Sequence, residues 1–143
     1  MKQLIIIRGP SGSGKTTAAK DFVNKHGGAF FEADGFFYQE GNYVFDPKKL
    51  PQAHGDCQRR IREALANRVS PVVVSNTSMT HWEMNPYFAM AKQFEYHVTV
   101  YRIGGPWDAK LFASRNVHGV TEEIVQRQIN KYEPLENEEE YYG

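Results

Sequence analysis

The chain has 143 residues, 41% of them hydrophobic, with 17 Lys and Arg against 17 Asp and Glu and a formal net charge of zero. That size suits one compact domain over residues 1–143, and the neutral balance excludes a protein that coats nucleic acid non-specifically, which needs excess Lys and Arg. Cys57 is the only cysteine, which excludes an intramolecular disulfide or a multi-cysteine zinc site and leaves a small core residue.

The start, residues 1–7, has too short an apolar run for a signal peptide, and no stretch approaches a membrane span; a cytoplasmic chain is expected. Residues 4–7 are continuously apolar and end in a glycine-rich turn, which predicts a strand buried on both faces. Residues 15–26 place Ala18, Ala19, Phe22 and Val23 at helical spacing before Gly27-Gly28. A second strand is expected at 29–33, and an aromatic loop or small hairpin at 36–45. Asp46-Pro47 reads as an N-cap with Pro at the first helical position, opening a helix to about Asn67.

Val72-Val73-Val74 predicts a third strand. Thr80 and Glu83 fit a capping box for a helix ending near Phe94. A fourth strand is expected at 96–102, a helix at 108–116, and a last helix from Thr121. The acidic tail, 135–143, is expected to fray. Strands alternating with helices predict an α/β fold, a mostly parallel four-stranded sheet with helices on both faces. Ligands in such sheets gather at the carboxyl ends of the strands, where Arg8, Asp34 and Ser75 lie.

Gly9-Pro10-Ser11-Gly12-Ser13-Gly14-Lys15-Thr16 matches the P-loop pattern in full, between a strand and a helix as the motif requires. Its glycines let backbone N–H groups turn toward phosphate oxygens, and the helix N-terminus adds partial positive charge. Lys15 would neutralise the β- and γ-phosphates of ATP, Thr16 would ligate Mg²⁺, and Thr17 could reach the α-phosphate. Asp34, at the second strand's end, has two readings: a base for an attacking hydroxyl, or an ordinary Asp-Gly turn residue. Strand alternation points Glu32 the other way. Arg115, with Arg127 as a second candidate, is placed either to follow charge on a transferring phosphoryl group or to sit solvated on a helix end.

With residues 9–17, Ala33-Asp34-Gly35-Phe36-Phe37, Phe45-Asp46-Pro47, Ser75-Asn76-Thr77, Trp82-Glu83-Met84 and Arg115-Asn116-Val117-His118-Gly119-Val120 in view, the chain resembles the phage-type polynucleotide 5′-hydroxyl kinases and related small single-domain P-loop proteins. The resemblance covers residues 4 to about 133. It implies a P-loop kinase fold with a helical lid and a tunnel-like site, ATP entering from one side and a nucleic acid 5′-OH end from the other. It also implies Lys15 and Thr16 for ATP and Mg²⁺, Asp34 as general base and Arg115 in the lid.

Three positions depart from the family. Phe37 replaces an acceptor arginine, His118 or Gly119 a second lid arginine, and Ser75 an Asp. His54, Arg59, Arg60, Arg62 and Arg102 are the candidates to compensate. Phe36, Phe37, Tyr38, Tyr43 and Phe45 either stack a terminal base or form a satellite core, and Trp82 is expected to pack between helices. The alternatives are a small-molecule or nucleoside/nucleotide kinase on the same fold, or a nucleotide-dependent binding module. No membrane association and no obligate protein partner are expected.

Overall fold

The computed structural model describes residues 1–39, 42–116 and 119–141. In chain order it contains β1 (Gln3–Arg8), α1 (Lys15–His26), β2 (Ala29–Phe31), β3 (Tyr38–Gln39), β4 (Asn42–Tyr43) and α2 (Leu50–Ala66). Then come β5 (Val72–Val74), α3 (His81–Phe94), β6 (His97–Ile103), α4 (Ala109–Arg115), α5 (Glu122–Asn130) and β7 (Glu139–Tyr141). The main sheet has the order β2-β5-β1-β6-β7, with every pairing parallel. Strands β3 and β4 form a separate antiparallel ribbon.

β1 is the centre of the sheet, and its side chains alternate between two cores as strand geometry requires. Leu4 and Ile6 join Ile61, Leu65, Met84 and Met90 in one core. Ile5 and Ile7 join Ala18 and Ala19 in the other. Cys57 is fully buried in the first core, as expected of a small apolar side chain. Asp46 caps a short 3₁₀ turn at Pro47–Lys49 by accepting from Lys48 N, and α2 follows directly. Thr80 Oγ1 accepts from Glu83 N and donates to Glu83 Oε1, so Thr80 caps α3 as expected.

The structure corrects several expectations. The sheet has five strands, not four, because residues 139–141 of the tail form a strand: Tyr101, Arg102 and Ile103 pair with Glu139, Glu140 and Tyr141. Strand β2 stops at Phe31, and Ala33–Phe37 is a 3₁₀ turn. Trp82 does not pack between helices; it is 81% exposed in the first turn of α3. Among the described residues no helix is long and apolar enough to cross a membrane.

Arg8 closes the carboxyl end of β1. It is completely buried. Its Nε donates to Ser78 O, Nη2 to Met79 O, and Nη1 to both Glu133 O and Glu138 Oε1, at 2.8–2.9 Å. The guanidinium also lies 4.6 Å from the Tyr132 ring centroid. A buried cation is tolerated when its charge is paired and its N–H groups are satisfied, and here both conditions hold. Arg8 therefore ties the central strand to the 78–79 turn and to the segment that leads into β7. Arg8→Leu is expected to lower unfolding stability by about 3–5 kcal/mol, because it leaves the Glu138 carboxylate without its cation and removes the Arg8 donor from the carbonyls of Ser78, Met79 and Glu133. Glu138→Gln, which keeps an acceptor oxygen, should cost less; urea denaturation of the two variants checks the order.

Candidate active site

The P-loop leaves β1 and enters α1 through two left-handed glycines, Gly12 with φ 81° and Gly14 with φ 99°. A Cβ on Gly12 would stand 2.2 Å from Phe112 O, so α4 lies directly over the loop. No side chain caps α1, and no acidic residue lies in its first turn. Its first N–H groups and positive dipole end are thus left for an anion. Among the described residues, the buried side-chain polar atom without a partner is Ser13 Oγ, within this loop. A loop shaped by positive-φ glycines, an uncapped helix start and an orphaned hydroxyl together fit a phosphate-bearing ligand.

Lys15 folds back so that Nζ donates to Pro10 O at 3.0 Å. Burial of its ammonium pulls its pKa down to about 8, while the negative charges of Asp34 and then Glu32 oppose the fall. The structure therefore brings Lys15 and Asp34 into one electrostatic site. Asp34 sits in the 3₁₀ turn after β2. That turn is tethered to β5, since Ala33 N donates to Asn76 Oδ1 at 2.7 Å. Asn76 Nδ2 in turn donates to Tyr87 Oη at 3.3 Å. Tyr87 Oη lies 3.8 Å from Cys57 Sγ, and burial raises the pKa values of both groups. This buried polar cluster fixes the turn that carries Asp34 against α2 and α3.

Glu32 does not point away from the site. Its Oε2 accepts from Thr16 Oγ1 at 2.8 Å and from Ser75 Oγ at 3.3 Å. The expectation fails for two reasons: residues two apart in a strand share a face, and β2 ends at Phe31, two residues short of the expected strand, so that Glu32 leads into the 3₁₀ turn. Among the described residues no three His, Cys, Asp or Glu side chains cluster as a metal site. Thr16, Ser75 and Glu32 offer two hydroxyls and one carboxylate oxygen, a hard-oxygen set that suits Mg²⁺ shared with phosphates and water.

Ser11 and Thr17 take their places in the loop and at the exposed start of α1. Ser11 N donates to Gln128 Oε1 at 2.8 Å, and Gln128 Nε2 returns a bond to Ser11 Oγ at 3.1 Å. The α4–α5 pair, packed through Ala109, Phe112 and Val125, is thus fastened to the P-loop. Gly9 N donates to Thr77 O, which anchors the other end of the loop.

Arg115 ends α4, exposed, with its guanidinium 5.6 Å from the Phe112 ring centroid. Arg127 is instead committed to Glu123 one turn back on the exposed face of α5. Residues 117 and 118 of the expected lid lie outside the described residues.

Phe37, where the family resemblance leads one to expect an acceptor arginine, is 2% exposed and belongs to the main core. Phe36 packs against it edge-on, and Phe45 covers it while remaining half exposed. The aromatic segment is therefore a satellite of the core; the side chains of Tyr38 and Tyr43 lie outside the described residues. Of the arginines considered as substitutes, Arg60 reaches this loop: Nη2 donates to Glu32 O at 3.2 Å, and a Cβ on Gly35 would lie 4.0 Å from it. Arg59 pairs with Asp56 and Glu63, Arg62 with Gln93, and Arg102 lies over Trp107.

With this geometry in place, comparison with known proteins decides the family: an AAA domain model (AAA_33) matches residues 4–135. The chain belongs to that family. Human NEDD4-binding protein 2 is 36% identical over 134 residues, a match that takes in 91% of this chain and 8% of that protein. The chain therefore spans less than a tenth of that relative. Among solved structures, the Pnkp1/Rnl/Hen1 RNA repair complex superposes with a TM-score of 0.72 at 15% identity, over 91% of this chain and 43% of that one. A gluconokinase from Sinorhizobium meliloti 1021 gives 0.64 at 22%, over 96% and 81%. This AAA domain has the nucleotide-binding P-loop kinase fold, shared by neighbours that include small-molecule kinases.

Gln128, Asn76 and Glu32 are the functional candidates that sequence reasoning missed as contacts. Asn76 was visible in the Asn-Thr element, but Gln128 carries no local signal.

The depressed pKa of Lys15 sets a pH dependence. Phosphates bind the ammonium form, which the free protein holds below about 8 and loses above it. Affinity for ATP should be flat below that value and fall by up to about tenfold per pH unit above it, until the pKa of bound Lys15 is reached. Calorimetric titrations from about pH 7 to about pH 9.5 should also register proton uptake on binding; constant affinity across this range would contradict the placement of Lys15 on the phosphates.

Proposed function

We propose that this chain is an ATP-dependent phosphotransferase whose acceptor is the 5′-hydroxyl end of a nucleic acid strand. The observation that carries the reading is the joining of Lys15 and Asp34 at the mouth of an uncapped P-loop. Phosphoryl transfer needs little more from a protein than positioned positive charge on the phosphates and a group that orients the nucleophile.

In the proposed reaction the P-loop N–H groups and Lys15 hold the β- and γ-phosphates. Asp34 accepts the proton of the attacking hydroxyl as the new O–P bond forms, and the bond from the γ-phosphorus to the bridging oxygen breaks to release ADP. Arg115, at the end of the helix that lies over the loop, supplies charge to the phosphoryl oxygens. Bound Mg²⁺ would neutralise phosphate charge, held by Thr16.

The polynucleotide acceptor is supported by the resemblance through Asn76-Thr77 and Arg115-Asn116 and by likeness to a fold found in an RNA repair complex. Exposed Trp82 and half-exposed Phe45 offer stacking surfaces on an otherwise neutral molecule. A small-molecule alcohol as acceptor is the second reading. It is favoured by Phe37 lying in the core rather than offering a guanidinium, and by the likeness to a gluconokinase.

The test uses ATP labelled on the γ-phosphate with 5′-OH oligonucleotides, nucleosides and sugars as acceptors. Labelled oligonucleotides are expected, with affinity levelling off after a few nucleotides. Labelling of a metabolite alone would transfer the assignment to the second reading. Asp34→Asn should cut transfer by about 10²-fold or more while ATP affinity holds, the scale for losing a positioned base. A rate within a few-fold of wild type would remove Asp34 from the chemistry.

A further inference from the structure

Two hydroxyls from different parts of the chain aim at one oxygen. Thr16 Oγ1, in the first turn of α1, and Ser75 Oγ, at the end of β5, both donate to Glu32 Oε2, at 2.8 and 3.3 Å. The sheet register explains the meeting. Phe31 pairs with Val74, so residues 32 and 75 leave neighbouring strands side by side at the carboxyl edge. At this edge β5 contributes a buried hydroxyl, Ser75, and the carboxylate comes from the end of β2.

We propose that Glu32 is the carboxylate that holds the divalent cation of a bound nucleotide, together with Thr16. The proposal rests on the nucleotide-binding reading of the P-loop. A hard cation such as Mg²⁺ keeps several waters and takes one or two protein oxygens beside the phosphates, rather than a cage of acidic residues. The absence of any three-residue acidic or histidine cluster among the described residues matches that sparse shell. Glu32 is the carboxylate hydrogen-bonded to the P-loop threonine.

Its backbone is held on both sides. Glu32 O accepts from Arg60 Nη2 and from Gly35 N, and the next residue's N–H is tied to Asn76. Arg60 is itself paired with Asp56 at 2.9 Å, so its charge is shared rather than spent on Glu32 alone. The side chain is thus presented to Thr16 from a fixed turn, as a ligand-bearing position requires. The work then divides between two carboxylates two residues apart: Glu32 holds the cation and Asp34 serves the acceptor.

A plain structural role makes a different prediction. If Glu32 merely supplies the negative charge that the first turn of α1 lacks, its loss would lower the melting temperature and leave cation affinity alone.

The experiment uses the full chain, a non-hydrolysable ATP analogue and Mn²⁺ as a paramagnetic probe. Nucleotide affinity is measured with and without metal by calorimetry, and Mn²⁺ affinity for the protein–nucleotide complex by electron paramagnetic resonance. Glu32→Gln should weaken Mn²⁺ binding to that complex by about 10- to 100-fold. Metal-free nucleotide affinity should be unchanged or tighter, since one negative charge near the phosphates is gone. Adding Ser75→Asp to Glu32→Gln should recover most of the loss, because it returns a carboxylate to the same edge.

Glu32→Asp, which retains the charge but retracts it by one methylene, should fall between wild type and Glu32→Gln, and it serves if Glu32→Gln does not fold. Mn²⁺ affinity within about twofold of wild type in the folded variants would overturn the proposal while leaving nucleotide binding intact. Failure of the wild-type chain to bind nucleotide with or without metal would overturn the reading beneath it.

Discussion

A single buried guanidinium holds the active edge of this fold together. Arg8 sits where β1 turns into the P-loop, and its donors reach residues 78, 79, 133 and 138. Three separate stretches of chain thus converge on one planar group with five N–H donors. The cost of desolvating that charge is met by Glu138, which is itself nearly buried, and by the carbonyls around it. Ser78 adopts the left-handed conformation, with φ 50°, while its carbonyl accepts from Arg8. A non-glycine residue holds such a conformation where its surroundings over-determine it, and here Arg8 holds the carbonyls of Ser78 and Met79 while Gly9 N holds that of Thr77. The position of α3, which begins just after this turn, follows from the same contact.

On that frame the site is built from strand ends rather than from any one element. β1 supplies the loop, β2 the turn with Glu32 and Asp34, and β5 supplies Ser75 and Asn76. Each side chain by itself is unremarkable. Their chemistry comes from convergence: an ammonium that burial disfavours is kept near two carboxylates, and the α4–α5 pair is fastened over it through Gln128. The arrangement stores positive charge in a place where only a strongly anionic ligand can make full use of it.

Much of this was legible in the sequence, for definite reasons. The P-loop announces itself because its glycines, lysine and threonine are fixed in spacing by the shape of a phosphate. The positions of the first strands and of the helices follow from hydrophobic periodicity, and the caps at Asp46, Thr80 and Thr121 from local hydrogen bonding. What was hidden depended on distance along the chain. The burial of Arg8 requires Glu138, 130 residues away, and no local pattern marks either. Strand β7 is Glu139-Glu140-Tyr141, with too little apolar alternation to read as a strand. Glu32 was misdirected because the strand is two residues shorter than expected and because residues two apart share a face, and Phe37 holds a position that the family resemblance assigns to the acceptor site while packing assigns it to the core.

The late strand has a further effect on the behaviour of the molecule in crowded solution. Without β7, the outer edge of the sheet would be β6, a seven-residue run of His97-Val98-Thr99-Val100-Tyr101-Arg102-Ile103. A long edge rich in β-branched residues is a template onto which other chains add. β7 covers the carboxyl-terminal part of that edge and replaces it with a three-residue rim carrying two glutamates. A further strand would have to bring its backbone against like charges over a very short length. The buried arginine that orders the nucleotide-facing edge, by anchoring Glu138 one residue before β7, therefore also guards the chain against aggregation.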